Sequence, residues 1–243
     1  MSLQIPKYAD FGSISLIPEN IFEIYYNLEK KFASKTKWKN RQEYDLWHEL
    51  CLCILASNIP YEQALSATNH LDKNDLLDQY WILENTIYSK NRIAYELSLP
   101  VFLPKKKDGN LRKYRFPNVR AKNIVKSADI LYHDGQNLKT ILQNSESERS
   151  VRDFLALNLS GIGFKESSHF LRNIGFASTL AIVDVHIISF LKNLHLLPKN
   201  FKLTNVTQYM EIEEIMQKIA NYYSMNLGIL DNAIWYYIKT NNQ

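Results

Sequence analysis

Cysteine, glycine and proline are all scarce in this chain of 243 residues, and each shortage removes a class of protein. The two cysteines, Cys51 and Cys53, form a C-x-C inside an apolar run. Two thiols can build neither a disulfide framework nor a four-cysteine metal site, so they read as reduced core residues. With 7 glycines and 7 prolines, disordered and fibrous classes are excluded. No apolar stretch approaches the ~20 residues that a membrane-spanning helix needs, so no membrane association is expected. Residues Met1 to Phe11 lack a basic start followed by an apolar run, so no signal peptide is expected and the protein is placed inside the cell. What remains is an ordinary globular composition, 46% hydrophobic and 22% charged, long enough for one large domain or two small lobes.

The charge is unevenly spread. Between Lys105 and Lys122 stand Lys105, Lys106, Lys107, Arg112, Lys113, Arg115, Arg120 and Lys122 against the single acid Asp108. That segment carries +7 while the whole chain carries +4, so the remainder is slightly negative. A local excess of this kind is the footprint of a polyanion site, although a solvated charged loop has the same composition. Lys105, Lys106, Lys107, Arg112 and Arg120 are the candidate phosphate contacts.

Hydrophobic spacing predicts helices over 18–34 and 41–57, the second from the recurrence of Tyr44, Trp47, His48, Cys51 and Leu55. The pattern continues over 60–71 and 74–88, with Asn74 as an N-cap. Pro100 and Pro104 bracket Val101, Phe102 and Leu103, and Lys107 to Asn110 is a turn signal, which suggests a short strand pair or an extended loop. Helices are then expected over 118–133, 136–143, 146–157, 164–174, 184–194, 207–223 and 226–240. The fold class is all-α with at most a minor β element. The Pro-rich basic stretch 100–117 is the expected boundary between two helical lobes.

The sharpest local pattern is Leu159-Ser160-Gly161-Ile162-Gly163 between two helices. Glycine at both positions permits backbone angles closed to other residues and a close approach to a ligand. Ile162 plugs the turn into the core, and the turn amides with the positive end of the next helix make an anion site. A glycine-capped turn between helices would read the same way. Lys165 adds to the pattern, because the first turn of a helix disfavours a cation and favours the neutral amine that imine chemistry requires. Ala181-Ile182-Val183 then ends in Asp184, just ahead of a helix. An aspartate there is an N-cap, which also keeps its carboxylate ionised and oriented.

These stretches, Leu159 to Leu191 above all, resemble the helix-hairpin-helix DNA glycosylase superfamily. Gly161-Ile-Gly-Phe-Lys-Glu-Ser-Ser-His-Phe-Leu-Arg-Asn-Ile-Gly175, followed by Ala181-Ile-Val-Asp-Val-His-Ile187, is similar to its second, archaeal-type family of 8-oxoguanine DNA glycosylase/AP lyases. Glu49 to Ala56 and Arg115 to Lys122 fit the same family. The resemblance implies a two-lobed fold with the helix-hairpin-helix over 146–175, and a protein that acts on duplex DNA carrying a damaged base.

It implies catalysis by Lys165 and Asp184, a DNA-binding hairpin at Gly161, Ile162 and Gly163, and Phe116 and Trp235 around the flipped base. Lys165 would attack C1′, expel the base and form a Schiff base that permits β-elimination. Asp184 would stabilise positive charge on the sugar and assist proton transfers. No metal or cofactor is expected beyond a monovalent cation at the hairpin, and two cysteines exclude an iron–sulfur cluster. A monomer is expected, cytoplasmic and nucleoid-associated if the source is prokaryotic. Two alternatives stay open: a glycosylase for another oxidised base, and a non-catalytic helix-hairpin-helix module.

Overall fold

The computed structural model describes residues 17–33 and 37–241. Among them are twelve α-helices, one 3-10 turn (Trp38–Asn40) and a single antiparallel bridge between Phe102 and Arg112, so the all-α expectation with a minor β element holds. No described helix is long and apolar enough to cross a membrane. The expected absence of a leader concerns Met1 to Phe11, which lie outside the described residues. The chain divides into two compact units, one running Lys37–Phe176, the other taking described residues 17–33 and 177–241.

In the Lys37–Phe176 unit the axis is α2 (Glu43–Ala56), where Leu46, Trp47 and every residue from Leu50 to Leu55 are buried. A helix apolar nearly all round must be covered on all sides. Its cover is α3 (Tyr61–Lys73), α6 (Pro117–Tyr132), α7 (Leu138–Gln143) and α9 (Phe164–Asn173). Each large aliphatic side chain so buried contributes about 1.5–3 kcal/mol of transfer free energy. The Trp47 indole nitrogen donates to the Leu77 carbonyl at 2.8 Å, so the polar atom of the largest core side chain is satisfied. Cys51 and Cys53 are buried and unbonded, and burial pushes both thiols well above the ordinary range.

The expected helix over 74–88 does not exist as one element. Asn74 closes α3, its side-chain amide donating to the His70 carbonyl at 2.7 Å, and Asp75 turns the chain at φ +56°. Two helices follow, α4 (Gln79–Glu84) and α5 (Thr86–Ser98), because Asp78 and Asn85 each cap a new start. The Asp78 carboxylate accepts from Trp81 N at 2.7 Å and the Asn85 side chain from Tyr88 N at 3.0 Å.

The expected lobe boundary at 100–117 is also corrected. That stretch lies inside the Lys37–Phe176 unit, and the division falls between Thr36 and Lys37 and between Phe176 and Ala177. Phe102 is fully buried and paired with Arg112 through two backbone hydrogen bonds, and the Tyr114 hydroxyl donates to the Leu55 carbonyl on α2. A segment anchored by buried aromatics belongs to a core, whatever its proline and charge content suggest. The turn expected at 107–110 is present, with Gly109 at φ +81° and Lys106 N bonded to the Asn110 carbonyl at 2.8 Å.

The other unit is organised on α12 (Leu227–Asn241), against which α1 (Glu19–Ala33), α10 (Val185–Asn193) and α11 (Val206–Tyr222) pack. The Tyr25 hydroxyl on α1 accepts from Asn226 N at 2.8 Å, just ahead of α12.

Candidate functional site

The hairpin joins α8 (Glu148–Asn158) to α9, and its two glycines do different work. Gly161 is at φ +80°, and a Cβ there would sit 2.1 Å from the Asn123 side-chain nitrogen of α6. Only glycine fits, on both counts. Gly163 has an extended backbone (φ −108°, ψ −167°), so the expectation of special angles at both positions is corrected: one glycine needs them. Gly163 instead N-caps α9 without a side chain, its carbonyl accepting from Ser167 N at 2.9 Å. Gly163 supplies no side-chain acceptor to the first turn, and the positive end of the helix dipole favours an anion there. Ile162 is buried, as a plug should be, and Ser160 is tied to Ser127 of α6 through N–H and C=O at 3.2 and 3.3 Å. Behind the turn Arg152 is fully buried, bonded to Asp153 at 3.0 Å with its guanidinium over the Phe164 ring at 5.3 Å.

Lys165 lies in the first turn of α9 with its side chain 45% exposed, and Nζ is 3.5 Å from Glu166 Oε1. The adjacent acid, whose charge the N-terminal dipole favours, supplies the counter-charge that the dipole denies a lysine. Sequence reading passed over Glu166; its signal was an acid in the first helical turn beside the one unfavourable cation.

Asp184 caps α10. Its Oδ1 accepts from His186 N at 2.8 Å and Ile187 N at 3.0 Å. Both capping bonds fall on one oxygen, and no described donor meets Oδ2. The carboxylate is held by one oxygen and presents the other. The segment before it, Ala181 to Val183, is buried, has no regular secondary structure and joins no sheet. Its amides end on side chains that sequence reading missed: Glu213 takes Ala181 N at 3.1 Å, Asp231 takes Ile182 N, and the Tyr209 hydroxyl takes Val183 N at 3.3 Å.

Trp235 is half-buried on α12 in the same unit, with the His186 ring against its edge at 6.2 Å and Lys239 Nζ 4.4 Å from its centroid. His186 thus bonds Asp184 through its amide and meets Trp235 through its ring. Phe116 belongs to the other unit, where it precedes α6 with the Arg115 guanidinium at 4.9 Å and that of Arg120 at 5.9 Å from its ring.

The basic segment separates into unlike members. Lys105, Lys106 and Lys107 are exposed. Arg112 is partly folded onto its own loop, Nε donating to the Pro104 carbonyl at 2.7 Å. Arg120 is buried, with a guanidinium nitrogen bonded to the Ser57 carbonyl, which removes it from the phosphate contacts expected of it. Asn58, Gln63, Lys106, Arg112, Lys113 and Arg115 line most of a cavity of about 390 Å³ in this unit. An open, cation-rimmed cavity attracts anionic groups.

Comparison with known proteins agrees with this chemistry. A family model described as 8-oxoguanine DNA glycosylase matches residues 101–225. The 8-oxoguanine DNA glycosylase/AP lyase of Thermoplasma volcanium is 34% identical over 209 residues, covering 86% of this chain and 87% of that protein. The protein of the same name from Methanocaldococcus jannaschii is 31% identical over 214 residues, 88% of this chain and 90% of its own. Among solved structures, the Methanocaldococcus jannaschii 8-oxoguanine glycosylase/lyase in complex with a 15mer DNA containing 8-oxoguanine matches with a TM-score of 0.68 at 27% identity, covering 89% of this chain and 94% of that one. The 8-oxoguanine DNA glycosylase of Thermotoga maritima matches with a TM-score of 0.66 at 28% identity, covering 90% and 91%.

Proposed function

This chain belongs to the 8-oxoguanine DNA glycosylase family, and we propose that it excises 8-oxoguanine from duplex DNA and then cleaves the strand as an AP lyase. The observation that carries the reading is Lys165, a half-exposed amine in the first turn of the helix that the hairpin launches.

In this mechanism the hairpin amides and the α9 N-terminus hold a phosphate without reading a base, and Lys105, Lys106, Lys107 and Arg112 add sequence-independent attraction. The damaged nucleotide leaves the stack, which costs a few kcal/mol that base stacking in a pocket must return. Phe116 and Trp235 are the aromatic surfaces assigned to it. The neutral amine of Lys165 attacks C1′ and the N-glycosidic bond breaks, the base departing with its electron pair and gaining a proton. The amine loses its proton, the sugar ring opens with O4′ protonated, and a Schiff base remains at C1′. Loss of a C2′ proton then breaks the C3′–O3′ bond. Asp184 Oδ2 stabilises positive charge on the sugar and assists proton transfers.

The reading includes no cofactor. A monovalent cation at the hairpin is compatible with the turn, where no described donor meets the carbonyls of Gly161 and Ile162; these would hold it, supplying a fixed positive charge. We also take the protein to act as a monomer inside the cell, on the nucleoid if its source is prokaryotic.

Borohydride trapping on a duplex with a single 8-oxoguanine tests the proposal. A covalent protein–DNA adduct with released base is expected. An adduct formed only with an oxidised pyrimidine would move the substrate, and no adduct with any lesion would favour a DNA-binding module without catalysis.

A further inference from the structure

Three consecutive amides precede Asp184, and all three are satisfied by side chains instead of a neighbouring strand. Successive amides turn to different helices. Ala181 and Val183 face α11, where Glu213 and Tyr209 stand four residues apart and so share one helical face. Ile182 faces α12 and meets Asp231. The Tyr209 hydroxyl holds the segment twice, accepting from Val183 N at 3.3 Å and donating to the Ala181 carbonyl at 2.9 Å. Glu213 is fully buried, and Asp231 and Tyr209 nearly so.

Buried carboxylates are costly, and an apolar residue on these helices would pack more cheaply, so their presence requires a reason. The segment they hold leads directly into Asp184. Asp184 is fixed from its C-terminal side by the two capping amides on Oδ1. From its N-terminal side only the Ala181–Val183 backbone holds it, and that backbone has no ladder of its own. The direction of Oδ2 therefore depends on both anchors.

We propose that Tyr209, Glu213 and Asp231 are positioning residues for Asp184, aligning its Oδ2 with the reacting sugar by clamping the segment before it. The proposal rests on the glycosylase reading above. None of the three need touch DNA. Their loss should misplace the carboxylate while the hairpin and the basic segment still bind. A misplacement of about 1 Å lowers the chemical step by up to about 100-fold.

The test is a double-mutant cycle on the full chain, read as the single-turnover rate of base release from an 8-oxoguanine duplex, with DNA affinity and thermal stability measured alongside. Tyr209→Phe removes one hydroxyl and little volume. We expect its rate to fall at least tenfold at saturating enzyme with DNA affinity within twofold of the wild type. In an Asp184→Asn background the same change should cost less than twofold, because a residue acting through Asp184 has nothing left to position. Glu213→Met repeats the cycle at the second acceptor, so the test survives if one variant does not fold. Glu213→Gln, whose carboxamide oxygen can still accept from Ala181 N, should recover most of the rate that Glu213→Met loses. Tyr132→Phe, which loses a hydroxyl bond to Glu43 at 2.8 Å in the other unit, is the control: it should lower stability and leave the rate unchanged. Unchanged rates, or equal losses with and without Asp184, overturn the positioning role. A wild-type chain that releases no base overturns the functional reading and takes this inference with it.

Discussion

The lysine and the aspartate are held by opposite strategies. Lys165 follows a turn whose shape is set by the backbone: Gly161 at φ +80°, Ile162 buried as a plug, and Gly163 as a bare cap. Asp184 follows an irregular segment held by distant side chains, with Tyr209, Glu213 and Asp231 arriving from 26, 32 and 49 residues away. The first device is local and turns on one glycine and its neighbours in the turn. The second is long-range, and a single substitution deep in α11 or α12 reaches the site. In this chain Lys165 is placed by what a residue lacks, and Asp184 by what other residues supply.

The largest expected effect breaks the lysine side of that contrast. Lys165→Gln should abolish the borohydride adduct while salt-sensitive DNA binding persists; an adduct that survives would mean another amine is the nucleophile. On the aspartate side, Asp184→Asn keeps an oxygen for the capping amides and removes the charge, so folding should change little. Base release should fall by about 10²–10⁴-fold, the usual contribution of a positioned acid–base group. Single-turnover kinetics and a thermal melt separate the two effects.

The glycines sharpen the comparison. Gly161→Ala meets the Asn123 side chain at 2.1 Å and forces a positive φ, so chemical denaturation should show a loss of about 1–3 kcal/mol. Gly163→Ala would bring its Cβ to an ordinary 3.5 Å contact with the Glu166 carboxylate on an extended backbone, and should cost below about 1 kcal/mol in the same measurement. Equal losses would show that the hairpin is not built asymmetrically. Smallest is the basic loop. Replacing Lys105, Lys106 and Lys107 by alanine should lower the slope of log affinity against log salt by up to about 0.9 for each phosphate no longer neutralised, without changing which lesion is excised.

Much of the site was legible because its signals are short in range. Hairpin, Lys165 and the Asp184 cap each depend on a few neighbouring residues, so spacing alone displays them. The basic segment was legible only as charge. That Lys105 to Lys107 are exposed while Arg120 is buried on the Ser57 carbonyl depends on α6 packing against α2, which composition does not encode. The split of 74–88 into α4 and α5 was missed for a local reason: Asp78 and Asn85 are strong caps inside an apolar pattern that otherwise runs on. The lobe boundary was misplaced because proline and charge resemble a linker, whereas Phe102 and Tyr114 make that stretch part of a core.

By itself, then, the sequence determined the helical class and the local frames of Lys165 and Asp184, since periodicity, caps and a required glycine act within a few positions. Tertiary structure alone decided where the chain divides, which cations face solvent, and which buried acceptors hold the segment before Asp184. Those depend on which distant groups share a face after folding, and a buried carboxylate meets its amide partner only when α11 and α12 close over it.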